Sequence, residues 1–185
     1  MLGAIQSFDF YILDFIAQHL KCAFLDSVMP FITHLADGGW FWIALALVLL
    51  IPKKTRTAGI AMAIALLCGV LTANVTLKPL IARVRPYDIN TAVELLITAP
   101  TDFSFPSGHT LASFEGAVTL LLYKRSWGVA ALILAAAIAF SRLYLYVHYP
   151  TDVFASIILG VLFALLGKWA ADKIVGYYHK KAVDK

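Results

Sequence analysis

Ser141-Arg142-Leu143-Tyr144-Leu145-Tyr146-Val147-His148-Tyr149-Pro150-Thr151-Asp152 closes one long apolar run and opens another, each near the roughly 20 residues that cross a bilayer. Ser, Arg, His and Asp are costly at the end of a membrane helix and usually mark a site. The order of types is also chemical. Arg142 is suited to grip a phosphate, His148 to act as nucleophile or base, and Asp152 to hold the imidazole in one tautomer. Pro150 fits the first turn of a helix, where its missing N–H costs nothing. A helix is therefore predicted to start near Pro150, with Asp152 in a first turn whose dipole favours a carboxylate. The alternative is that Arg142 and Asp152 are interfacial anchors and His148 an ordinary loop residue.

Outward from this stretch the chain is apolar. Of 185 residues, 61% are hydrophobic and 14% charged, and the mean hydropathy is +0.82; soluble domains carry about a quarter charged residues. The expectation is an all-α integral membrane protein, a helical bundle of five to six membrane helices with an amphipathic segment at its N-terminus. A net charge of +4 on so apolar a chain gives no reason to expect nucleic acid as a partner. No basic stretch leads into a short apolar core with a small-residue cleavage site, so no cleaved signal peptide is expected. Cys22 and Cys68 lack metal-ligand spacing and are read as small packing residues.

Residues 1–37 carry apolar positions at helical spacing, broken by Asp9, Asp14, Lys21, Asp26 and Asp37. They are read as two amphipathic helices lying on or dipping into the membrane, with a single tilted span as the alternative. Residues 38–176 are the expected membrane-embedded part, with apolar segments 40–51, 58–77, 110–123, 127–147 and 153–171. Residues 177–185 are the expected cytoplasmic basic tail. If the spans alternate, Lys53, Lys54, Arg56, Lys124, Arg125 and the tail share one side, which the positive-inside rule makes the cytoplasm. Lys78, Arg83, Arg85 and Arg142 then lie outside against that rule, as they would if they met an anionic ligand.

Two further clusters fall on that outer face. Lys78 and Arg85-Pro86, with six residues between Lys78 and Arg85, offer a point charge and a planar fork for phosphate oxygens; snorkelling anchors would look the same. Pro106-Ser107-Gly108-His109 sits where a loop becomes a helix. Ser107 is a good N-cap, Gly108 allows close backbone approach, and free N–H groups at a helix start attract anions. His109 would face that site and could deliver a proton. Three cations, a helix N-terminus and two histidines on one membrane face match the needs of phosphoryl transfer.

Lys78-x6-Arg85-Pro86, Pro106-Ser107-Gly108-His109 and Ser141-Arg142-x5-His148-x3-Asp152 together resemble, in order, the three signature motifs of the type 2 phosphatidic acid phosphatase superfamily. The small bacterial lipid phosphatases acting on undecaprenyl diphosphate or phosphatidylglycerophosphate are the nearest likeness. The resemblance implies that His148 attacks phosphorus to form a phosphohistidine and Asp152 bonds its other ring nitrogen. His109 would protonate the leaving oxygen and then activate water. Lys78, Arg85, Arg142, Ser107 and the Gly108 amide would hold the phosphate. It also implies no metal or other cofactor, a lipid phosphate as substrate, and a multi-pass plasma-membrane location with the site on the outer face. His148 must be neutral and His109 protonated, so a bell-shaped pH dependence is expected. The rival class is a phosphate-binding membrane protein without catalysis, which has no need of His109, His148 and Asp152 together. Haloperoxidases share the motifs but are soluble.

Glu115 lies six positions past His109 in an apolar helix, about 9 Å deeper at 1.5 Å per residue. It either orients a phosphate clamp, paired with Asn74, Lys78 or Arg142, or is a protonated or hydrogen-bonded packing residue. Arg83 either adds to the positive patch or snorkels, and snorkelling is preferred. His19 and His34 are read as interfacial.

Overall fold

The structure, a computed structural model, describes residues 2–183. Met1 at the start of the N-terminal segment, and Asp184 and Lys185 of the basic tail, lie outside the described residues. Two N-terminal helices, α1 (Leu2–His19) and α2 (Ala23–His34), lead into a tight turn at Asp37–Gly39 and then α3 (Trp40–Leu50). The chain reverses through Pro52–Thr55 into α4 (Arg56–Gly69), which runs on as a π-helical stretch, Val70–Leu77, into the short α5 (Lys78–Ile81). A loop with one helical turn, α6 (Pro86–Ile89), follows. Then come α7 (Gly108–Tyr123), α8 (Arg125–Tyr144) and the long α9 (Pro150–Val183). All regular structure among the described residues is helical.

Among the described residues, three helical segments, Arg56–Ile89, Arg125–Tyr144 and Pro150–Lys181, are long and apolar enough to cross a membrane, and a fourth is added if α2 and the Asp37–Leu50 segment, bent by 41°, count as one span. α7, with 16 residues, is only about 24 Å long, yet it is central. It packs against α8, α9, α4 and α3. Its small residues permit this. A Cβ on Gly116 would come within 2.1 Å of the Trp42 ring, and one on Gly160 of α9 within 2.8 Å of Phe114. Trp42 is fully buried and donates from Nε1 to Ser113 Oγ at 3.1 Å, which satisfies its one polar atom. Trp42, Met62, Ala117, Leu120, Ala135 and Ile138 form the main core.

The segment boundaries differ from the sequence expectation in informative ways. α9 begins at Pro150 but continues as helix to Val183, because Lys173, Lys180 and Lys181 are good helix formers outside any packing constraint. The apolar run 58–77 is α-helical only as far as Gly69. π-Helical turns have no compositional signature and recur at functional sites. α1 and α2 pack on the end of the bundle that holds the α8–α9 loop. Leu13, Ile16 and Met29 share clusters with Tyr144–Val147 and Tyr149.

Candidate active site

The α8–α9 loop is the structural pivot. The Arg142 carbonyl accepts from both Val147 N and His148 N, at 3.2 and 3.3 Å. Tyr146 takes a left-handed φ of 59°, costly for a bulky residue unless its surroundings hold it. Its hydroxyl donates to Asp14 at 2.7 Å and accepts from Asn90 Nδ2 at 3.3 Å. His148 is thereby fixed and buried, 1% exposed.

His148 meets two opposite charges. Nδ1 lies 3.5 Å from Asp152 Oδ2, close enough for an ion pair but without a hydrogen bond, so the expected bond from Asp152 to this nitrogen is not made. Nε2 lies 3.2 Å from Arg85 Nη1. A guanidinium can only donate, so Nε2 is the acceptor and the ring proton sits on Nδ1, facing Asp152. That is the tautomer of a nitrogen nucleophile. Burial pushes the imidazole pKa down, Arg85 and Arg142 push it further, and Asp152 opposes them; the net value is about 3. His148 is thereby favoured in its neutral form near neutrality.

Arg85 also donates Nη1 to the Val147 carbonyl at 2.6 Å and Nε to the Asp102 carbonyl at 2.8 Å. Its Nη2 pairs with Asp102 Oδ1 at 2.6 Å, while Lys78 pairs with Asp102 Oδ2. Burial of Asp102 opposes ionisation, but Lys78 and Arg85 prevail and draw its pKa down to about 2. A carboxylate from the 90–107 loop thus occupies the two cations predicted to hold phosphate oxygens. Arg142, 2% exposed, donates Nη1 to Thr33 Oγ1 at 2.5 Å, and its buried Nε has no partner among the described residues.

Ser107 caps α7, its Oγ accepting from Thr110 N at 3.4 Å, and lies 3.0 Å from Thr110 Oγ1. A Cβ on Gly108 would stand 4.0 Å from Lys78 Nζ and 3.8 Å from Asn74 Oδ1, so the α7 N-terminus and Lys78 adjoin. His109 Nε2 lies 2.8 Å from Asp37 Oδ1. A cavity of about 220 Å³ is lined by Asn74, Lys78, Asp102, Gly108, His109 and Glu115, and by apolar Ile43, Leu66 and Val70.

The first two motifs thus meet at a cavity, through Lys78, Gly108 and His109, that is polar on one part of its lining and apolar on another; the third motif does not line that cavity and joins the cluster through the contact of Arg85 with His148. The sequence profile of the PAP2 superfamily matches residues 54–175, which include every one of these motif residues.

The chain belongs to the PAP2 superfamily.

It is 35% identical over 162 residues to an undecaprenyl-diphosphatase of Sulfolobus acidocaldarius, covering 86% of this chain and 78% of that one. It is 32% identical over 146 residues to the undecaprenyl-diphosphatase BcrC of Bacillus subtilis, covering 77% and 72%. The crystal structure of a transmembrane PAP2-type phosphatidylglycerolphosphate phosphatase from Bacillus subtilis superposes with a TM-score of 0.75 at 29% identity, covering 92% of this chain and 88% of that one. This PAP2 protein is an integral membrane enzyme, a phosphatase of lipid phosphates.

Two expectations for this PAP2 chain need correction. Arg83 does not snorkel. It forks, Nη2 to Asp9 Oδ2 at 2.6 Å and Nη1 to Asp152 Oδ1 at 2.5 Å, with its guanidinium carbon 3.8 Å from the Tyr149 ring centre. The chain can turn it inward because Ala82, at a left-handed φ of 46°, ends α5. Glu115 is not paired with Asn74, Lys78 or Arg142. Its Oε1 is buried without a hydrogen bond among the described residues, and it packs against Gly69, whose absent Cβ would lie 2.1 Å away. Its depth was calculable from helix rise, whereas its neighbour depends on how α4 and α7 cross.

Four polar residues outside the motif pattern also hold the site. Ser104 Oγ donates to Asp152 Oδ2 at 2.5 Å, Asp102 bridges Lys78 and Arg85, Asp9 anchors Arg83, and Asp37 meets His109. Only the interruption of apolar periodicity by Asp9 and Asp37 distinguished any of them in the sequence.

Proposed function

We propose that this PAP2 enzyme hydrolyses undecaprenyl diphosphate to undecaprenyl phosphate on the extracytoplasmic face of the plasma membrane, through a phosphohistidine on His148. The observation that carries the chemistry is the His148 geometry, with Nδ1 on the side of Asp152 and the Nε2 lone pair facing a phosphate-seeking guanidinium. The terminal phosphate displaces Asp102 from Lys78 and Arg85, drawing Arg85 from Nε2. Arg142 Nε and the N–H groups at the start of α7 supply further donors. His148 Nε2 then forms a P–N bond as the bridging P–O bond breaks. The electron pair leaves on the lipid phosphate oxygen, which takes a proton from His109. In the second step water attacks the phosphohistidine, His109 takes its proton, and inorganic phosphate departs as His148 recovers its lone pair.

The identity of the lipid rests on the two undecaprenyl-diphosphatase relatives and on the mixed lining of the cavity, which suits a head group joined to a chain. Phosphatidylglycerophosphate is the second reading, favoured by the superposition at TM-score 0.75. The outward orientation rests on Lys53, Lys54, Arg56, Lys124 and Arg125 gathering opposite the site. The deciding experiment is phosphate release by purified protein in detergent with EDTA, against undecaprenyl diphosphate, phosphatidylglycerophosphate and phosphatidic acid. The highest kcat/KM is expected for the diphosphate, with no loss in EDTA. Preference for either glycerolipid, or inactivation by EDTA, rejects the reading.

The proposal also carries a pH expectation. A nucleophile with a pKa near 3 loses its lone pair to a proton only far below neutrality. The acid limb of kcat/KM, which reports the free enzyme, is therefore expected below pH 5. A limb near 6.5 that survives correction for substrate ionisation would mean that His148 is not held as described.

A further inference from the structure

His109, the residue read above as proton donor, ends a chain of side chains that starts at the surface. His34 Nδ1 lies 2.6 Å from Asp37 Oδ2, and Asp37 Oδ1 lies 2.8 Å from His109 Nε2. Side-chain exposure falls from 61% at His34 through 52% at Asp37 to 21% at His109. The turn carrying Asp37 is rigidly placed. Ala36 before it is buried in the main core, and Gly38 and Gly39 after it take left-handed φ of 57° and 72°. A side chain on Gly38 would strike the Trp40 indole at 2.8 Å.

The charges facing His109 make the contact more than incidental. Burial pushes the His109 pKa down, Arg142 on α8 and Lys78 at the start of α5 push the same way, and Asp37 is the anion that opposes them; the net value is about 4. A protonated imidazole between two cations needs a counter-charge. An imidazole that must exchange a proton through one nitrogen needs the other tied down, as in a base held by a third group. Asp37 meets both needs at one atom pair.

We propose that Asp37 is the positioning residue for His109. It accepts from His109 Nε2–H, leaves Nδ1 as the nitrogen that exchanges the proton, and balances the charge when both nitrogens are protonated. His34 holds the second Asp37 oxygen and so fixes the carboxylate plane. The inference rests on the reading of His109 as acid and base. It brings into the site a part of the chain that precedes the region matched by the family profile.

A double-mutant cycle tests it in the full-length protein, with undecaprenyl diphosphate in detergent. Asp37→Asn is expected to lower kcat roughly 10-fold or more, the scale of one hydrogen bond to a charged group, with KM and the thermal midpoint near wild type. Asp37→Glu is expected to recover part of the loss. In a His109→Ala background, already slowed by ~10² or more, Asp37→Asn is expected to cost nothing further. Wild-type kcat in Asp37→Asn, or equal losses in both backgrounds, overturns the assignment. A His109→Ala protein with wild-type turnover removes the reading beneath it, and this assignment with it.

Discussion

Replacing His148 by alanine is expected to lower phosphate release by about 10⁴-fold or more, the scale seen when a covalent nucleophile is removed. No neighbouring group can substitute. Nε2 is the only unprotonated ring nitrogen beside Arg85, and the nearest carboxylate, Asp152, is already held by Ser104 Oγ, Arg83 Nη1 and the Tyr149 amide at 2.5, 2.5 and 3.0 Å. Fold damage would not account for such a loss. The loop is anchored by backbone bonds to the Arg142 carbonyl and by the hydroxyls of Tyr144 and Tyr146 on Asp26 and Asp14, none of which involves the imidazole. The purified variant should elute as wild type and melt within a few degrees of it. Rapid acid-free quenching with labelled substrate should trap phosphate on the wild type and none on His148→Ala. An active variant, or equal labelling of both, would rule out the phosphohistidine.

The convergence of the motifs was legible in the sequence because each one sits at a helix end. Ends alternate between the two faces of a membrane, so counting apolar segments sorted Lys78, Arg85, Ser107, Gly108, His109, Arg142, His148 and Asp152 onto one face without coordinates. Turn chemistry was legible for the same local reasons: Ser107 caps α7 and Pro150 opens α9. What pairs with what across the bundle was not. Asp9, Asp14, Asp26 and Asp37 look alike in the sequence, four carboxylates interrupting apolar periodicity. In the fold they reach Arg83, Tyr146, Tyr144 and His109 respectively. Each destination depends on how α1 and α2 rotate over the α8–α9 loop, and hydrophobic spacing fixes that only to within a turn. Arg83 was misread for a related reason. Snorkelling is the default of an isolated cation at a helix end, and the buried Asp9 and Asp152 together draw it inward.

That buried carboxylate supports the second large expected effect. Asp9 is fully buried and uses both oxygens. Oδ2 accepts from Arg83 Nη2 and Thr151 Oγ1, each at 2.6 Å, and Oδ1 accepts from Thr151 N at 3.0 Å. Asp9→Ala would strand an N–H in the first turn of α9 and leave Arg83 with Asp152 as its one carboxylate. Breaking a buried pair costs about 3–5 kcal/mol. Arg83 keeps 23% side-chain exposure, so solvent screening reduces that to roughly 2–3 kcal/mol, or about 4–12 °C in the thermal midpoint for a chain of this size. Turnover should fall further than stability implies. Arg83 and Thr151 flank Asp152, and a shift of about 1 Å in a catalytic group costs on the order of 10²-fold. Asp9→Asn keeps an acceptor for the Thr151 amide and should recover more of the midpoint than of kcat, separating the charge on Arg83 from the shape of the site. Midpoint and kcat both at wild-type values in Asp9→Ala would show that α1 merely rests against the catalytic loop. A loss confined to the midpoint would show that it supports the loop without aiming Asp152.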